Sequence, residues 1–247
     1  MTDQLGFRGR IAIVVPSTNT SCQPESELLR PHGVTNHTGR ISIKERPLTT
    51  EQAFMEHVQA MRDGMRAGID QVMTCQPTHV IMGVALEAFW GGVAAADELQ
   101  AELATRSGVG VSMGSTATVA ALRSFGAKSI AVLTPHQPRG DEQVRTYFEQ
   151  AGFDIKRLIG LKCPSPVMIA HTTPKQVTDA LRQLDGDDVD ALVQVGTNLA
   201  AIELCAAAEL WFEKPVLAIN ATTYWDALRR SGIPDKVYGC GSLLERF

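Results

Sequence analysis

The chain has 247 residues, 44% of them hydrophobic and 20% charged, enough apolar side chains to bury roughly 70% of the unfolded surface and too many for a disordered state. With 23 Lys and Arg against 27 Asp and Glu the net charge is −4, and neither sign forms a long run, which excludes the basic footprint of a nucleic-acid binder. No apolar stretch approaches the roughly 20 residues that span a bilayer, and MTDQLGFRGR lacks the apolar centre of a signal peptide, so a cytoplasmic chain with neither membrane nor nucleic-acid partners is expected.

Short β-branched runs alternate with helix-period segments from end to end, the pattern of parallel strands joined by helical crossovers and hence of an α/β fold. Strands are predicted at 10–15, 40–43, 79–83, 108–112, 129–133, 154–159, 191–195 and 216–219. Between the second and third, Phe54, Val58, Met61, Met65, Ile69 and Val72 recur three or four apart after Thr50 and predict one core-facing helix. The aromatics of Phe89-Trp90-Gly91-Gly92 fit either a lid over a ligand or the start of a helix. Five cysteines, Cys22, Cys75, Cys163, Cys205 and Cys240, form no CxxC pair and no zinc-ligand spacing with histidine, so neither a disulfide framework nor a metal site is expected.

The chain also repeats itself once. RIAIVVPSTNT resembles SIAVLTPHQPR, with Pro16 and Pro135 ending equivalent strands, and THVIMGVAL resembles DALVQVGTNL, with Gly83 and Gly196 equivalent. Both pairs are separated by a little under half of the chain, which predicts a duplicated half: 1–113 plus 216–247 as one unit and 114–215 as the other. Ligands of parallel sheets sit beyond the carboxyl ends of the strands, so the site is expected in the cleft between the halves.

Residues at those strand ends carry the candidate chemistry. Val84 and Ala85 follow Gly83, and Thr197 and Asn198 follow Gly196. Free N–H groups there suit a small anion, although each glycine also fits an ordinary turn. Ser17, Thr18 and Asn19 fit a helix cap or a ligand contact equally. His136 suits an acid, a base or a solvated turn, and Asn220 an N-cap or a ligand contact. The glycines of Gly108-Val109-Gly110-Val111-Ser112-Met113-Gly114 are spaced GxGxxxG, which departs from a dinucleotide fingerprint.

Four segments, taken in order, resemble one known group. VVPSTNT followed by Glu25 is similar to the PSSNT segment of maleate isomerases, and VLTPHQPRGDEQVRTYFEQAGFDI to their TPY…NE…F…GFEV stretch. GTNL resembles their SCTNL, and INATTYWDALRRSGI their SNQATLWHALRLAG. The chain thus resembles the aspartate/glutamate racemase superfamily, in its maleate cis-trans isomerase and arylmalonate decarboxylase branch. The resemblance implies two Rossmann-like half-domains related by a pseudo-two-fold axis and a cofactor-independent isomerase or lyase acting on a small mono- or dicarboxylate through an enolate-like intermediate. It is compatible with a homo-oligomer. It further implies that Asn19 contacts the carboxylate or developing enolate, that N–H groups around Val84, Ala85, Thr197 and Asn198 bind carboxylate oxygens, and that Asn220 lies near the pocket.

The departures bear on mechanism. Racemases of this superfamily place a cysteine after each central strand and the decarboxylases keep the second, whereas both positions here are glycine, Gly83 and Gly196. The family tyrosine after the TP dipeptide is His136, and the residues around the final asparagine are Ala218, Ile219 and Ala221. Glycine is neither nucleophile nor base, so a thiol-independent set using Asn19 and His136 is expected. Cys22 and Cys240 are the cysteines placed to reach the pocket. A carboxylate-binding protein without turnover is the competing expectation.

Overall fold

A computed structural model describes residues 3–247. In chain order the first half contains β1 (Gly9–Pro16), α1 (Cys22–Leu28), β2 (Val34–Ile41), α2 (Glu51–Met73), β3 (His79–Met82), α3 (Leu86–Phe89), α4 (Gly92–Ser107) and β4 (Gly110–Met113). The second contains α5 (Gly114–Ser124), β5 (Ser129–Thr134), α6 (Pro138–Gln150), β6 (Asp154–Gly160), α7 (Pro166–Ile169), α8 (Pro174–Leu184), β7 (Ala191–Gln194), α9 (Ile202–Phe212) and β8 (Val216–Ala218). Helices α10 (Ile219–Arg230) and α11 (Ser242–Arg246) close the chain. Two four-stranded sheets result, ordered β2-β1-β3-β4 and β6-β5-β7-β8, and every pairing is parallel. The identical orders are the structural form of the sequence repeat.

Central strands of such sheets are covered on both faces, so they read as unbroken apolar runs rather than alternating ones. Ile11 to Val15 of β1 and Ile130 to Leu133 of β5 are all fully buried. All eight predicted strands exist, two of them displaced by more than one residue. Strand β2 begins at Val34, six residues before the predicted start, because this edge strand runs through the polar Thr35, Asn36, His37 and Thr38. Strand β4 begins at Gly110 because Gly108, at φ +68°, ends α4 in the left-handed conformation that glycine adopts without a Cβ clash.

The long helix α2 buries its predicted stripe of Phe54, Val58, Met61, Met65, Ile69 and Val72. Thr50 caps it, its Oγ1 accepting from Ala53 N at 3.3 Å. Thr50→Ala is expected to lower stability by about 1 kcal/mol, checked by chemical denaturation. Phe89 is no lid: it is fully buried, edge-on to Tyr147 and tilted against Phe148. The division into units needs one correction. Strand β8 pairs with β7, so residues 216–218 belong to the second sheet, while α10 packs back on β3, β4 and α5. Among the described residues no helix is long and apolar enough to cross a membrane.

Candidate active site

The carboxyl ends of β1, β3, β5 and β7 converge on one cavity of about 80 Å³ between the halves. Each strand end contributes a loop to its wall: Thr18 and Asn19, Val84 and Ala85, Pro135 and His136, and Gly196 to Asn198. Ile43, Leu48, Phe54, Met61 and Ile169 add an apolar lining. A largely apolar cavity with a few convergent polar groups is the usual form of a small-molecule site.

A polar frame crosses between the halves beneath this cavity. Asn19 Nδ2 donates to Thr197 Oγ1 at 3.1 Å, and Thr197 Oγ1 donates to Gly83 O at 3.1 Å. Asn19 Oδ1 accepts from Ser21 N and Cys22 N, so the same amide caps α1. Asn198 Oδ1 accepts from Thr20 N at 2.8 Å, and its Nδ2 donates to Pro166 O at 2.9 Å. Deeper still, Glu25 accepts from Ala201 N, Ile202 N and Asn220 Nδ2 and thereby caps α9 of the other half. Burial nevertheless pushes the Glu25 carboxyl above its ordinary range. With these amide and hydroxyl side chains so engaged, the loops bring free backbone donors to the cavity. Among the described residues no protein acceptor takes the N–H of Val84, Ala85, Thr197 or Asn198, all four of which line the cavity.

His136 lines the cavity with its Nε2 buried and unpaired, while its backbone N donates to Thr134 Oγ1 at 3.0 Å. Thr134 in turn donates to Asp141. Burial, helped by nearby His57, lowers the His136 imidazole to about 4, so it is neutral at physiological pH.

Three expected site residues lie outside the cavity wall. Ser17 is exposed and exchanges hydrogen bonds with the backbone of Ile43. Gly83 sits behind the wall, where a Cβ would come within 2.5 Å of Val15 Cγ1 and 2.9 Å of Cys22 Sγ. Asn220 falls inside the first turn of α10 instead of at its cap, and donates to Glu25 Oε2 and Thr197 O. The cysteine expectation is also corrected. Cys240 lines a separate crevice beside Cys205, and Cys22 is buried behind Gly83, its thiol pushed up to about 12 by burial. The thiol that reaches the cavity is Cys163, half-buried, 3.6 Å from Thr172 Oγ1 and also raised by burial.

Residues 11–244 match the family model for arylmalonate decarboxylase. The chain belongs to this family. A maleate isomerase of Nocardia farcinica is 26% identical over 98% of this chain and 97% of its own. The structure of the Nocardia farcinica maleate cis-trans isomerase bound to TRIS superposes with a TM-score of 0.88 at 25% identity, covering 96% of this chain and 98% of that one. Arylmalonate decarboxylase itself superposes at 0.75 with 16% identity, over 96% of this chain and 99% of that one, which bears on the fold. A further structure of the Nocardia enzyme, with a cysteine replaced by serine, carries a covalently bound succinylcysteine intermediate.

Two ionisable residues of this arylmalonate decarboxylase family member line the cavity without having stood out in its sequence. His57 sits three residues from Phe54 and four from Met61, on the edge of the α2 stripe, and that spacing was its available signal. Glu87 is only 4% exposed, and its signal was a lone carboxylate in the apolar run Val84-Ala85-Leu86-Glu87-Ala88-Phe89. Cys163, in a loop without periodicity, had none.

Proposed function

We propose that this chain is a cofactor-independent isomerase or lyase that acts on a small mono- or dicarboxylate through an enolate-like intermediate, with no thiol in its catalytic set. The observation that carries the reading is the pairing of unengaged backbone donors, Val84 and Ala85 from one half and Thr197 and Asn198 from the other, around one cavity. Fixed N–H groups in a water-poor site stabilise the negative charge that develops on a carboxylate or enolate oxygen. Asn19 holds Thr197 in place, and His136, neutral and without a partner, moves the proton. Neither family thiol position favours a nucleophile. A Cβ at Gly196 would lie 2.7 Å from two atoms of the Pro135 ring, and Gly83 is as crowded.

Without a nucleophile to add to an alkene, decarboxylation or proton transfer at the α-carbon is the chemistry this set supports best. Proton NMR in deuterated buffer with maleate, an arylmalonate, aspartate and glutamate tests it. Loss of CO2 marks a lyase, geometric conversion an isomerase, and deuterium wash-in alone enolate formation. The same two glycines also suit a carboxylate-binding protein, which calorimetric binding with an unchanged spectrum would establish instead.

Cys163 requires its own test, because alkylation there would fill the cavity and stop any reaction by bulk. Cys163→Ser and Cys22→Ser are expected to keep wild-type turnover in the same NMR assay. Loss of activity in either would restore a thiol mechanism.

A further inference from the structure

Glu87 is a buried carboxyl with no part in the proton transfer assigned to His136. It stands on α3 with its Oε1 fully enclosed and unpaired. It lines the cavity on one side and, on the other, a surface crevice between α2 and α4, the one residue common to both. On the cavity side the ionisable groups are His57, His136 and the Cys163 thiol. The crevice side presents Arg62, Asp63 and Arg66 from α2, and Glu98 and Glu102 from α4. A buried carboxyl with an unpaired oxygen is costly to ionise, so a structural role would have supplied it with a donor. Oε1 has none among the described residues, and the one donor that the carboxyl takes is its own backbone N–H.

Resting on the carboxylate reading, we propose that Glu87 carries protons between the crevice and the cavity and supplies the one that the site consumes. Decarboxylation takes up one proton per turnover: the electrons of the broken C–C bond remain on the enolate, and a new C–H bond forms with a proton from the imidazole side. Because the imidazole is neutral, Glu87 O–H protonates its other nitrogen in the same step, so that the ring is neutral before and after, and the Glu87 carboxylate then recovers a proton from water in the crevice, releasing hydroxide. Burial raises the Glu87 carboxyl to about 7, where it is protonated for a large part of the time at neutral pH and ionises readily, as a carrier must.

Two measurements decide it. Infrared difference spectra between the wild type and Glu87→Gln are expected to show a protonated carboxyl below neutral pH that vanishes above it and shifts promptly in D2O. Arg62→Gln should move its midpoint upward, because the cation that favours the ionised form is lost. A band that is absent, or that resists exchange until the protein unfolds, overturns the proposal whatever the substrate is. In the NMR assay with phenylmalonate and maleate, Glu87→Gln is expected to slow conversion or wash-in by about tenfold. The alkaline limb of the pH profile should disappear and phenylacetate binding should stay unchanged. A variant that keeps both rate and limb overturns the proposal. If the wild type neither binds nor converts any carboxylate, the functional reading fails, and the infrared result still decides the behaviour of Glu87.

Discussion

Turnover by the His136→Ala protein is expected to fall by about a hundredfold or more while its thermal unfolding stays close to wild type, the scale of a lost proton carrier. The side chain makes no hydrogen bond that folding needs, since its Nε2 is unpaired and the anchoring bond to Thr134 Oγ1 belongs to the backbone. What alanine removes is an imidazole held neutral by burial, which gains a proton only when negative charge lies beside it. The pH profile follows from the two shifted groups. His136, lowered to about 4, stays neutral from there upward, so kcat/KM is expected to be level on the acid side of neutrality. Above about 7 the Glu87 proton is lost, and kcat/KM should fall by about tenfold in all before levelling near the rate of Glu87→Gln. A profile falling on the acid side near the ordinary histidine value of 6.5 would show that His136 is solvated.

The second large effect is structural. Gly196→Cys places a thiol where the family resemblance puts one, yet it is expected to destabilise the fold by about 2–4 kcal/mol and to confer no activity. At φ +151° a side chain is strained, and the new Cβ meets Cδ and Cγ of Pro135, a ring that cannot rotate aside. Pro135 is itself fixed, since its carbonyl accepts from Cys163 N at 3.0 Å. Denaturant unfolding of this variant beside Gly196→Ala separates the causes. Equal losses assign the effect to backbone strain and the Cβ, and a larger loss in the cysteine variant assigns the remainder to the sulfur. A stable, active Gly196→Cys protein would mean that the proline loop yields and that the glycine is not a steric necessity.

The fold was legible because buried parallel strands write themselves as continuous apolar runs, and because the two halves repeat the same strand-end motifs. Where the pattern is carried by something else, the reading slipped. The outer half of β2 is an edge strand whose Thr35, Asn36, His37 and Thr38 look like a loop. The site was legible where it follows from topology: the loops after β1, β3, β5 and β7 must meet, so Asn19, Val84, His136 and Thr197 come together. It was illegible where the direction of a side chain depends on tertiary packing. His57 and Glu87 reach the cavity from helices, and Asn220 and Ser17 spend their polar atoms on the protein itself. Residue type alone does not separate an amide that binds substrate from one that ties two halves together.

The return of α10 to the first sheet bears on the order in which the molecule is assembled during synthesis. Tyr224 and Leu228 are fully buried, and Tyr224 Oη donates to Asn36 Oδ1 of β2, more than 180 residues earlier in the chain. The amino-terminal sheet therefore emerges from the ribosome with the face of β3 and β4 uncovered, and it waits for nearly the last segment translated to cover it. Its completion is a late, long-range event with a high loop-closure cost.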